Sequence, residues 1–151
     1  HSNLLKKYII GFESNSCMGT SRQISTAENI LLKIKNPSNP DYKSEVRNFI
    51  KIMNEIFLNF LDEYNLKFRL EIKHVSFEKF KTVAKKTGNI NAINFLIWYE
   101  KEYKKLKNEP EIGMLLEKEV EIPPNQNDAT KKCSMLLDEI KKLIYYAYEN
   151  F

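Results

Sequence analysis

The sequence predicts a mainly α domain with a small β-sheet, an α+β class of about five helices and two or three short strands. Three observations carry this expectation. Between residues 42 and 64 apolar side chains recur at steps of three and four, and between 66 and 73 they alternate with charged ones. The whole chain has only 4 Gly and 5 Pro in 151 residues, a composition that favours regular elements over loops. With 42% apolar and 12% aromatic residues it can fill one core, so a single domain spanning 1–151 is expected.

The longest element is a helix over 40–64. Tyr42, Val46, Phe49, Ile50, Met53, Ile56, Phe57, Phe60, Leu61 and Tyr64 fall on one stripe, which reads as core. Asn39 and Pro40 suit its start, and Asn65 suits the left-handed position that ends a helix. Upstream, Ser25 and Glu28 have capping-box spacing ahead of Ile30, Leu31, Leu32 and Ile34, and Asn36 with Pro37 ends that shorter helix. Downstream, Leu66, Phe68, Leu70 and Ile72 alternate with Lys67, Arg69, Glu71 and Lys73, which predicts a strand with one buried face. A strand needs a partner for its backbone groups, and 119–122 or 8–12 are the segments available.

Ser76 is expected to cap a helix that stops at Gly88, and Asn89 or Asn91 opens the next, which carries Trp98, Tyr99 and Tyr103 and ends before Pro110. Asp128 is expected to cap a last helix through Leu136, Ile140, Ile144 and Ala147. The first residue is His rather than Met, so the chain reads as a fragment or processed product of a longer protein. Its apolar stretches are interrupted every few positions by Lys, Glu or Asn, so no membrane span is expected. Cys17 and Cys133 lie far apart and neither has metal-ligand spacing to another Cys or His, which favours free thiols, an intracellular location, and neither metal nor cofactor.

Charge is concentrated in one place. Residues 66–88 hold seven basic and two acidic side chains, a surplus of five in a chain whose net charge is +4. Lys67, Arg69 and Lys73 on the strand, with Lys79, Lys81, Lys85 and Lys86 on the following helix, form a candidate surface for nucleic acid, phosphate or an acidic partner. Glu71 and Lys73 have the Glu-x-Lys spacing of metal-dependent nucleases, without the preceding hairpin and the neighbouring-strand Asp such sites use. Arg69 and His74 have the spacing of an Arg and His on one helix in small ribonucleases, although the alternating pattern opposes a helix there.

The polar stretch 13–22 contains Glu13, Cys17 and Arg22 ahead of a helix, where backbone donors bind anions, and Cys17 with His74 would be a nucleophile and base if they met. Cys17 with an Arg five positions on resembles the phosphate-cradling thiol loops of phosphatases and sulfurtransferases, but the phosphatase loop has one more residue between Cys and Arg, and both families place an apolar strand directly before the Cys, where this chain has four polar residues. Trp98, Tyr145, Tyr146 and Tyr148 offer a second surface. Three tyrosines at 145, 146 and 148 cannot share one helix face, so at least one is expected at a surface or interface. Every catalytic constellation lacks a member, so the sequence favours a non-catalytic protein-binding domain, with nucleic-acid binding through 66–88 and a Cys17-dependent enzyme as alternatives.

Overall fold

The computed structural model describes residues 19–151. In chain order its elements are α1 (Gly19–Lys35), α2 (Tyr42–Lys67), α3 (Phe77–Thr87), α4 (Ile90–Asn108), a 3₁₀ turn (Gly113–Leu116) and α5 (Gln126–Asn150). No strand occurs among the described residues, so the expected α+β class is corrected to all-helical. The segment 8–12 lies outside them.

α2 forms as the apolar stripe requires. Val46, Phe49, Met53, Ile56, Phe60 and Tyr64 are fully buried, and α1 packs along this helix while also touching α5. The helix runs from 42 to 67 rather than 40 to 64. Asn39 bridges instead of capping: its amide donates to the Lys33 carbonyl at 3.0 Å and its oxygen accepts from the Asp41 N–H at 3.0 Å. α1 begins at Gly19, so the expected capping box at Ser25 and Glu28 lies inside it, with both residues on its exposed side. The stripe Thr20, Ile24, Ala27, Ile30 and Ile34 continues past Ser25 in steps of three and four, and that burial overrides the local capping signal.

The expected strand at 66–73 is a helix end followed by a loop. Arg69, Glu71 and His74 have φ of 55°, 59° and 53°, and three left-handed residues within six positions leave no run of regular strand. Leu70 is nevertheless buried and Phe68 and Ile72 half-buried, while 67, 69, 71 and 73 face solvent. Alternation of burial is real there, and it accompanies a loop with left-handed residues at 69, 71 and 74. Asn65 stays helical, and its buried side chain holds the loop, accepting from the Ile72 N–H at 3.0 Å and donating to the Ile72 carbonyl at 2.9 Å. The segment 119–122 is likewise no strand: Val120 and Ile122 rest on the core, and the Tyr42 hydroxyl donates to the following Pro124 carbonyl at 2.6 Å.

Ser76 caps α3 through the Lys79 N–H, Gly88 ends it with φ 65°, and Asn89 caps α4 through the Ala92 N–H, as expected. The cap of α5 is Asn125, not Asp128, which sits in the first turn and pairs with Lys132 at 3.1 Å. Gln126 at the start of α5 donates to the Ile34 and Asn36 carbonyls at 2.9 and 2.7 Å, closing the C-terminal end of α1.

Candidate functional site

Among the described residues, two grooves and one buried polar cluster stand out beside the core. The wider groove, about 700 Å³, lies between α4 and α5. Leu106, Ile112 and Leu143 make its buried floor, and Trp98 and Tyr146 stand at its edge. Their rings stack at 5.3 Å with 18° between planes, and Phe151 lies 5.3 Å from Trp98 on the side toward Phe95. Tyr146 is 49% exposed. Around the rim Lys105 pairs with Glu102 at 3.4 Å and Lys142 with Glu139 at 3.3 Å, leaving Lys101 and Glu109 with no ion pair among the described residues.

Of the aromatic residues singled out in the sequence, Trp98 and Tyr146 are therefore brought together. Tyr145 is half-buried beside them in sequence, while Tyr148 points to the opposite side and is buried. Its hydroxyl donates to Glu63, a carboxyl that is 1% exposed. Burial pushes Glu63 up to about 7, against the lowering effect of the Thr20 and Tyr148 hydroxyls and with a smaller push from the Asp62 charge. Thr20 is near enough to act on the carboxyl, yet among the described residues neither its hydroxyl nor Oε1 of Glu63 has a hydrogen bond of good geometry. The sequence does contain a signal for Glu63, because Ile56, Phe60 and Glu63 follow steps of four and three along the apolar stripe of α2.

The basic residues of 66–88 are placed separately. Lys67 donates to the Phe151 backbone oxygen and lies 5.7 Å from the Tyr64 ring centre, with partial burial lowering its pKa. Lys79 donates to the His74 carbonyl at 3.2 Å, and Lys81 pairs with Glu100 at 3.7 Å. Arg69, Lys73, Lys85 and Lys86 are exposed, the last two in the final turn of α3, where the helix dipole favours them. The depression on this segment, about 310 Å³, is lined by Glu71 and Glu78 as well as Lys79. Glu71 and Lys73 share no strand face, and Arg69 and His74 share no helix face, because all four lie in the loop. Glu13 and Cys17 lie outside the described residues, and Arg22 is exposed on α1.

Cys133 is buried and its thiol is pushed up to about 12 by burial. No group of three or more His, Cys, Asp or Glu able to hold a metal occurs among the described residues. Nor is any helix among them long and apolar enough to cross a membrane. Comparison with known proteins finds no family model, no curated protein and no solved structure that matches the chain.

Proposed function

We propose that this chain is a non-catalytic protein-binding domain whose docking surface is the α4–α5 groove. The observation that carries the reading is the stacked Trp98–Tyr146 pair at the edge of an apolar-floored groove. Two stacked rings are a rigid contact surface that loses little side-chain entropy on binding, and Trp and Tyr are the residue types that most often anchor interfaces. Four of the six rim charges pair among themselves, and Lys101 and Glu109 are one of each sign, so the apolar floor and the rings supply the affinity and the rim limits orientation. An amphipathic helix of a partner, with a narrow apolar stripe between mixed charges, fits this description. Nucleic-acid binding has less support, since three of the seven basic residues at 66–88 are engaged within the fold and the local depression contains two carboxylates.

Trp98 is the sole tryptophan, which makes the groove its own reporter. A partner captured by the wild-type chain is expected to shift Trp98 emission saturably, to be lost with Tyr146→Glu, and to be retained with Lys131→Glu at an exposed position on α5. Capture of the same partners by Tyr146→Glu, or binding that leaves Trp98 emission unchanged, refutes the groove.

A further inference from the structure

A second cleft, about 480 Å³, opens between α2 and α4 and plays no part in the groove described above. Its floor is aromatic. Phe57 meets Tyr103 edge-on at 5.1 Å, Tyr99 lies nearly parallel to Tyr103 at 6.0 Å and 15°, and Phe77 stacks on Tyr99 at 5.9 Å. Leu58, 48% exposed, forms part of the wall and presents a large apolar side chain to solvent. The size lies within the range of small-molecule sites, which combine an apolar lining with a few convergent polar groups.

The polar groups at this cleft have a definite sign. Lys104 and Lys107 line it from successive turns of α4, and both are exposed without an ion pair among the described residues. Lys107 Nζ lies 5.9 Å from the Tyr103 ring centre, over the aromatic wall. Glu100, the one carboxylate among the described residues that line it, is engaged by Lys81 of α3 at 3.7 Å. Glu117 also acts on Tyr103, adding to the rise that burial causes in its hydroxyl pKa, but it is not part of the lining. The result is an apolar slot with two cations on one side that have no ion pair among the described residues.

We infer that the α2–α4 cleft binds a small amphipathic acid, with its hydrocarbon or aromatic body on Phe57, Leu58 and Tyr103 and its anionic head at Lys104 and Lys107. Apolar transfer supplies the affinity, and the lysines select the sign of the head group. A body bearing an ammonium head meets the same walls but faces two like charges.

The test uses 8-anilinonaphthalene-1-sulfonate as a fluorescent probe, displaced by dodecanoate or by dodecylammonium, both below their micelle concentrations. Saturable probe binding is expected, with dodecanoate displacing it about tenfold more effectively than dodecylammonium. Lys104→Glu combined with Lys107→Glu is expected to weaken dodecanoate about tenfold and to remove the preference, and Leu58→Asp to weaken both ligands. All three positions are exposed, and an unchanged circular dichroism spectrum checks that the helices persist. Tyr146→Glu in the other groove should leave dodecanoate binding intact, so failure here is separable from failure of the protein-binding reading. Absence of saturable binding, equal displacement by the two ligands, an unaltered dodecanoate affinity in the double lysine variant, or loss with Tyr146→Glu overturns the inference.

Discussion

Glu63 is the only carboxyl buried in the core among the described residues. Its carboxyl belongs to the core between α2 and α5, with the Tyr148 hydroxyl donating to it and Thr20 at the start of α1 beside it. Relative to an ordinary value of 4.5, the folded chain holds its pKa at about 7, so folding favours the protonated form. The native state then binds more protons than the unfolded state between those two values, and stability falls as pH rises through that window. The contribution is fully present below about pH 4.5 and exhausted above about pH 7, a span of roughly 3 kcal/mol. Glu63→Gln keeps the shape and removes the titration. Denaturant melts of wild type and Glu63→Gln at pH 4.5, 6 and 8 should therefore diverge, with the variant gaining on wild type as pH rises. Parallel stability profiles would mean that Glu63 does not titrate in this window.

At the scale of elements, what the sequence shows is the periodicity of burial, and what it hides is the backbone that produces it. The stripe of α2 was legible because three- and four-residue steps over more than twenty positions have only one solution. Ser76, Gly88 and Asn89 were legible because each satisfies a local backbone requirement without help from elsewhere. The loop after α2 was not, because a two-residue alternation of burial arises equally from a strand and from left-handed residues anchored by the Asn65 amide. The start of α1 and the choice of Asn125 over Asp128 were lost to capping residues that compete within a few positions, where tertiary burial decides. Likewise Trp98 and Tyr146 were recognisable as surface candidates, but their stacking depends on how α4 meets α5, which no local pattern encodes.

The loop gives a substitution whose sign distinguishes the two backbones. Glu71 is exposed and has φ 59°, so a side chain there costs about 1 kcal/mol that glycine would not incur. Allowing for the greater freedom of glycine in the unfolded chain, Glu71→Gly should be neutral or stabilising by up to about 1 kcal/mol. In a strand the same change would destabilise by a similar amount. Asn65→Ala should cost roughly 2 to 3 kcal/mol, because it strips both hydrogen bonds from the half-buried Ile72 backbone. Chemical denaturation of the two variants measures both, and destabilisation by Glu71→Gly would show that position 71 does not carry the left-handed strain assigned to it.

For the whole molecule, α5 ties distant parts of the chain into one cooperative unit. Its first residue closes the end of α1, its middle fills the core with Leu136, Ile140 and Ile144, and Tyr148 near its end reaches Glu63 of α2. Opening α5 alone would expose the α2 stripe and break contacts at both ends, so local release is nearly as costly as global unfolding. Cys133 lies in the buried middle of this arrangement, and burial pushes its thiol up to about 12, so alkylation requires the helix to leave the core. Its labelling rate should then follow the global unfolding equilibrium. Ile140 is fully buried two turns away, and Ile140→Val, at about 1 kcal/mol, should accelerate Cys133 labelling about fivefold and lower the denaturation midpoint in proportion. Peptide-resolved mass spectrometry separates Cys133 from Cys17. A labelling rate indifferent to Ile140→Val, with the midpoint nonetheless lowered, would show that α5 detaches on its own and that the core is not a single unit.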